Sequence, residues 1–297
     1  MWTIMTRLRY AVDNLERTPR LDPLVTALTA FWERVLPGGR ARDLLHGTWL
    51  GHPLHPMLTD LPIGFWTSAM ALDLARQPKA AQAMTGAGVL TALPTAISGA
   101  ADWVAVGEFD RPKRVGAVHA VANATATALY AASWLARRRG HHGRGQALGL
   151  AGAAAASAGG YLGGHLAFRN AVGVDHTAGE PTTSEWTDAG PLRDLPMRQA
   201  VRRRIDGTDV LLYRLGSTVR AVSATCSHLG GPLDEGEIAD DCVTCPWHGS
   251  TFRLTDGSVV HGPATAPQPA YDVRVVGRTV QLRRRREEPV TQGVAAR

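Results

Sequence analysis

Four long segments, at about 57–76, 80–105, 115–136 and 146–172, contain no lysine or glutamate and are built mainly of Ala, Gly, Leu, Val and Thr. At 1.5 Å per residue each is long enough, as a helix, to cross a hydrocarbon core of roughly 30 Å. Their hydropathy is modest, because small residues dominate and Asp60, Asp73 and Asp102 sit within or beside them. A membrane four-helix bundle and an Ala-rich bundle in water both fit that composition. Runs such as AGAAAASAGGYLGG let membrane helices approach closely, and a dearth of Lys and Glu is unusual in a soluble bundle. The expected fold of residues 45–172 is therefore a four-span transmembrane bundle, and an even number of spans puts both termini on one side.

Residues 1–44 read as an amphipathic helical lead-in. Leu21, Leu24, Val25, Leu28, Trp32, Val35 and Leu36 recur at helical spacing until Pro37 and two glycines stop the run. Such a helix, with Phe31 and Trp32, suits either a membrane interface or packing on its own domain. The first residues, MWTIMTRLRYAVDN, hold no continuous apolar core before Asp13, so no cleaved signal peptide is expected. The net charge of +6 comes largely from arginine clusters at 137–139, 202–204 and 283–286. No aromatic platform is interleaved with them, so they read as solvated or membrane-flanking charge, with no nucleic-acid partner.

After residue 172 the composition changes. Residues 173–182 are polar and turn-rich and read as a linker. Residues 183–286 carry short alternating runs, DVLLYRL, TVRAVSA, CVTC, STFRL, YDVRVV and TVQLRRR, punctuated by DG, GS, GG and GP. That is an all-β domain, and 287–297 read as a disordered tail. The chain is thus multidomain, with an α-helical bundle followed by a β domain.

All three cysteines lie in CSHLGGPLDEGEIADDCVTCPWHGS, residues 226–250. Three cannot make a disulfide framework, and their clustering points to metal ligation. The spacing is Cys226-x-His228, then Cys245-x-x-His248. One thiolate and one imidazole from each of two loops is the ligand set of a 2Fe-2S cluster with two cysteines on one iron and two histidines on the other. A zinc site using Cys226, Cys242, Cys245 and His248 is the alternative, though it leaves the residues around the ligands unexplained. Cys242 otherwise reads as a small hydrophobe in a strand.

CSHLGG and CPWHGS resemble the two loops of Rieske proteins, and GSVVHGPATAPQPAYDVRV resembles the tail of the same domain. The resemblance implies Cys226 and Cys245 on the buried iron and His228 and His248 on the outer iron, whose edge is the electron port. Rieske proteins of cytochrome bc complexes carry an additional cysteine in each loop, joined by a disulfide. Here those positions are Gly231 and Trp247, which fits a reducing compartment and resembles the ferredoxin-like Rieske proteins associated with oxygenases. Ser250 keeps the hydroxyl that donates to a cluster sulfur in the high-potential subtype, whereas the tyrosine position holds Phe252. The expected potential is therefore toward the lower end of the Rieske range of roughly −150 to +300 mV.

The stretch GHPLHPMLTDLPIGFW, residues 51–66, with the four-segment layout, resembles a family of predicted membrane proteins termed domain of unknown function 2231. That likeness implies no activity. In an up-down bundle His55, His119 and His165 fall toward one end, with Asp60 and Asp102 near them. Imidazoles inside a membrane bundle suit a b-type haem, a quinone or a metal, or else bind backbone or headgroups at the interface.

The functional expectation is a membrane-tethered Rieske electron-transfer protein in the cell membrane, its cluster domain facing the cytoplasm, exchanging electrons with redox donor and acceptor proteins. The alternative is a quinol-linked membrane oxidoreductase whose bundle carries haem b or a quinone; a redox sensor is a third class. No nucleotide-binding glycine motif and no separate two-histidine, one-carboxylate iron triad marks a catalytic oxygenase domain.

Overall fold

The computed structural model describes residues 2–107, 110–181 and 185–285 of the chain. Two compact units divide between Val174 and Asp175. The tail expected at 287–297 lies outside the described residues.

The first unit is helical: α1 (Trp2–Glu16), α2 (Asp22–Val35), α3 (Arg40–His46), α4 (Leu54–Leu74), α5 (Pro78–Val104), α6 (Asp110–Arg138) and α7 (His142–Phe168). Pro78 opens α5 at a position whose N–H would lack a helical partner anyway. Gly47, at φ +87°, closes α3 by donating to the Asp43 and Leu44 carbonyls. The lead-in helices pack on their own bundle. The Arg114 guanidinium grips Asp22 at 2.6 and 2.9 Å, His165 meets Glu16 at 2.8 Å, and Ser98 Oγ donates to the Leu45 carbonyl at 2.8 Å.

The four expected helices are present as α4 to α7, but the expectation of four membrane spans is corrected. Among the described residues no helix is long and apolar enough to cross a membrane. Length is not what fails, since α4 to α7 run from 21 to 29 residues. Alanine, glycine and threonine contribute too little apolar surface, and a shortage of Lys and Glu does not replace it. The same small residues shape the core. The Trp66 indole fills the space beside Gly88 and the Tyr130 ring that beside Gly152, and the two rings stack 4.0 Å apart.

The second unit is all-β, with strands β1 (Thr187–Pro191), β2 (Ala200–Ile205), β3 (Thr208–Leu215), β4 (Thr218–Ser223), β5 (Glu237–Ala239), β6 (Cys242–Thr244), β7 (Thr251–Arg253), β8 (Val259–His261), β9 (Tyr271–Val276) and β10 (Thr279–Arg284). They form three antiparallel sheets, ordered β1-β10-β9, β2-β3-β4 and β5-β6-β7-β8. Asp206-Gly207, both at positive φ, make the tight turn from β2 to β3. Strand β3 is a wall between two cores, because alternate side chains point to opposite faces. Val210 and Leu212 join Val219, Ala221, Val280 and Leu282, whereas Leu211 and Tyr213 join Val222, Leu233, Phe252, Cys226 and Cys245. The second core thus ends in the two cysteines.

Residues expected as a free linker are partly built into this unit. His176 N–H donates to the Ser227 carbonyl at 2.9 Å, Ser223 Oγ donates to Glu180 at 2.6 Å, and Asp175 Oδ1 accepts from both the N–H and hydroxyl of Thr177. The second unit begins at Asp175.

Candidate metal centre

The first ligand loop follows β4 and the second joins β6 to β7, and both fold alike. Cys226 N–H donates to the Gly231 carbonyl at 2.8 Å, and Gly230 N–H returns to the Cys226 carbonyl at 2.9 Å. Cys245 N–H donates to the Ser250 carbonyl at 2.8 Å, and Gly249 N–H returns to the Cys245 carbonyl at 3.1 Å. In each loop the glycine four residues after the cysteine is left-handed, at +75° and +77°, a conformation glycine adopts without a Cβ penalty.

The closed loops bury both cysteines and leave both histidines half-buried. The two thiols interact with each other, which favours thiolate at Cys245 and holds Cys226 above the ordinary thiol range, where burial adds to the rise. Backbone N–H groups of His228 and Leu229 face the Cys226 sulfur, and those of Trp247 and His248 face Cys245, so the backbone favours thiolate at both.

The His228 and His248 rings lie 5.2 Å apart, centroid to centroid, at 84°. Two imidazoles on one tetrahedral metal, at a metal–nitrogen length of about 2.0 Å, hold their centroids about 5.2 Å apart. The donors therefore fall into a thiol pair and an imidazole pair, which fits a two-iron group with two protein ligands per iron. Among the described residues no three His, Cys, Asp or Glu side chains gather round a single metal position. The zinc arrangement, which needs Cys226, Cys242, Cys245 and His248 on one ion, therefore finds no support among the described residues. Cys242 instead sits in β6 opposite Arg253 of β7, and burial pushes its thiol up.

A β-carbon on Gly231 would lie 2.8 Å from Cys245 Sγ and 3.1 Å from the Trp247 ring. The two positions expected to replace the respiratory cysteines are thus in contact, with the half-exposed Trp247 indole over the glycine. Ser250 is fully buried and its Oγ accepts from Ala264 N–H at 3.0 Å, leaving its own proton free to donate elsewhere. Phe252 is fully buried and brings no hydroxyl. The segment after β8 clamps both loops: besides Ala264, the Ala266 carbonyl accepts from Ser227 Oγ at 2.8 Å, and the Gln268 amide, in the orientation that pairs its oxygen with a donor and its nitrogen with an acceptor, bridges the Thr225 carbonyl and the Ser227 N–H.

The three bundle histidines do not form one group. His55 and His119 come together, their ring centroids 6.3 Å apart, and each Nδ1 meets a backbone carbonyl, Thr95 at 2.9 Å and Gly159 at 2.8 Å. His165 is held instead by Glu16. Asp60 is exposed, and Asp102 binds an imidazole the sequence did not single out, His46, at 2.8 Å. Neither His46 nor Glu16 has a local sequence signal, since each partner lies on a distant helix.

Residues 185–272 match the family described as Rieske [2Fe-2S] domain, and residues 51–176 match the family described as Predicted membrane protein (DUF2231). The chain is 37% identical over 91 residues to the 3-phenylpropionate/cinnamic acid dioxygenase ferredoxin subunit of Escherichia coli K12, covering 30% of this chain and 84% of that protein. It is 28% identical over 103 residues to the anthranilate 1,2-dioxygenase ferredoxin subunit of Burkholderia cepacia, covering 35% of this chain and 95% of that protein. Among solved structures it resembles the ferredoxin of carbazole 1,9a-dioxygenase from Nocardioides aromaticivorans IC177, at 29% identity and a TM-score of 0.33, over 34% of this chain and all of that one.

Proposed function

Because the chain belongs to the Rieske [2Fe-2S] family through residues 185–272, we propose that it is a membrane-associated one-electron carrier with a ferredoxin-type Rieske domain. The bound cluster supplies reversible one-electron transfer. Cys226 and Cys245 would hold one iron as thiolates favoured by four backbone N–H groups, and His228 and His248 would hold the other at the half-exposed edge, where electrons would leave. The observation that carries this reading is the 5.2 Å spacing of the two imidazoles beside the paired sulfurs. Ser250, whose hydroxyl proton is not used by its contact with Ala264, would donate to a cluster sulfur, and Phe252 would bring no second donor, which would hold the potential toward the low end of the Rieske range. The acceptor is a redox protein such as an oxygenase, in line with the names of the ferredoxin subunits the chain resembles.

Two observations support membrane association of the helical unit. The family it matches is described as a predicted membrane protein, and its helices expose Leu61, Ile63, Leu90, Leu93 and Leu150. The second reading, a quinol-linked oxidoreductase with haem or quinone in the bundle, draws only on the His55–His119 pair.

Reducing the purified full chain under argon and mixing it with oxidised cytochrome c tests the carrier function. One electron delivered per chain in a single phase is expected, and no delivery would overturn it. Adding quinol alone separates the second reading, which requires cluster reduction without another donor. Retention in washed membranes is expected; recovery wholly in the supernatant would remove the membrane assignment.

A further inference from the structure

The helical unit is an internal duplication with an offset of 64 residues. Helices α5 and α7 begin at Pro78 and His142 and end at Val104 and Phe168. The connections into them turn through left-handed residues at Arg76 and Gly140. Gln77 N–H donates to the Leu72 carbonyl and His141 N–H to the Ala136 carbonyl, both at 2.9 Å. The hydrogen bonds His55 to Thr95 and His119 to Gly159 each span 40 residues and repeat at the same offset. Few residues are shared, among them His55/His119, Gln82/Gln146, Gly88/Gly152 and Gly99/Gly163.

Three contacts join a residue to its own equivalent: His55 to His119, Trp66 to Tyr130, and Asp73 to Arg137, the last with a sequence separation of 64. A residue that touches its own mate lies on the two-fold axis. An aromatic stack and an ion pair occupy two levels of that axis, and the third level brings two imidazoles together.

Both imidazoles are set for metal. A carbonyl can only accept, so Nδ1 carries the proton in each ring and Nε2 keeps its lone pair, the arrangement that backbone carbonyls impose on metal-ligating histidines. The seats are built from glycine: a β-carbon at Gly99 would lie 2.6 Å from the His55 ring, and one at Gly163 would lie 3.1 Å from His119. Asn123 Nδ2 donates to the His119 carbonyl at 3.0 Å and lies 3.3 and 3.2 Å from the two ring nitrogens, so it flanks the ring and leaves the line of the Nε2 lone pair open.

We propose that His55 and His119 form a bis-imidazole metal site on the internal two-fold axis of the helical unit. The ring separation is compatible with a linear two-imidazole centre and too wide for a tetrahedral one. Trans imidazoles at about 2.0 Å from a metal hold their centroids about 6.3 Å apart, against about 5.2 Å on a tetrahedral ion. The observed separation is 6.3 Å. Among the described residues no third metal-ligating side chain joins the pair, which disfavours an ion needing three or four protein ligands. Haem iron and monovalent copper both take two trans imidazoles. The site belongs to the helical unit and does not depend on the reading of residues 175–297.

The purified full chain is titrated with hemin and, separately, with Cu(I) under argon. One equivalent per chain of either is expected, and hemin binding must show a low-spin bis-imidazole spectrum. Hemin alone identifies the site as a haem site, Cu(I) alone as a bare-ion site, and either supports the proposal. His55→Ala and His119→Ala should each weaken binding at least tenfold, while exposed His52→Ala leaves it unchanged. If the alanine variants do not fold, His119→Met supplies a different axial donor and should shift the spectrum without abolishing binding. Failure of both probes to bind the wild type, or binding indifferent to His55 and His119, would overturn the site.

Discussion

Gly231 and Cys245 approach so closely that a β-carbon on the glycine would sit 2.8 Å from the cysteine sulfur. The two ligand loops therefore lean on each other at a point where no side chain fits. Gly231→Val should reduce iron content at least tenfold in purified protein, whereas Trp247→Phe, which keeps an aromatic ring over the glycine, should retain it. Equal iron content in both variants would mean that this contact does not shape the site.

Hydrogen bonds to a cluster favour its more negative, reduced state. Removing the Ser250 hydroxyl costs one such bond, worth about 1 kcal/mol or about 40 mV for a one-electron couple. Ser250→Ala should lower the midpoint potential by about that amount, and Phe252→Tyr should raise it if the new hydroxyl reaches the cluster. Redox titration followed by visible absorbance measures both. An unchanged midpoint in Ser250→Ala would show that the hydroxyl does not face the cluster.

Much of the metal centre was legible because its information is local. Cys226 with His228 and Cys245 with His248 each occupy one short loop, closed by glycines whose chemistry is written beside them. Contacts between distant segments were not legible. Residues 175–180 look like a linker by composition, yet Ser223 and Ser227 tie them to the β unit. His46 finds Asp102 and Glu16 finds His165 only after seven helices assemble. The duplication is concealed because it survives in backbone geometry and glycine seats, with few identical residues. The span expectation failed because lacking Lys and Glu is not the same as being apolar.

Asp73 and Arg137 are the two-fold mates that form a paired ion bridge at 2.6 and 2.7 Å, with the guanidinium almost wholly buried. Asp73→Asn leaves that guanidinium without its counter-charge and should destabilise the helical unit by about 3–5 kcal/mol. Because the positions are equivalent, the exchanged variant Asp73→Arg with Arg137→Asp should recover much of the loss. Denaturant unfolding followed by circular dichroism measures both, and an exchanged variant no better than Asp73→Asn would count against the symmetry.

Glu180 is held above the ordinary carboxylate range, first by burial, despite the Ser223 hydroxyl and Arg284. A raised folded-state value means the folded protein binds the proton more tightly than the unfolded chain. Its contribution is favourable below the unfolded value near 4.5 and is lost as pH rises through the folded value. Glu180→Gln should therefore gain stability relative to wild type as pH increases from 4 to 7. A stability difference independent of pH would contradict this.

The most direct measurement is iron and acid-labile sulfide content of the anaerobically purified full chain, with an electron paramagnetic resonance spectrum after dithionite reduction. Two irons and two sulfides per chain are expected, with an average g-value lower than that of an all-cysteine 2Fe-2S cluster, and His248→Cys should move the spectrum toward that of an all-cysteine cluster. Zinc in place of iron, or a reduced spectrum already of the all-cysteine type, would contradict the assignment of Cys226, His228, Cys245 and His248.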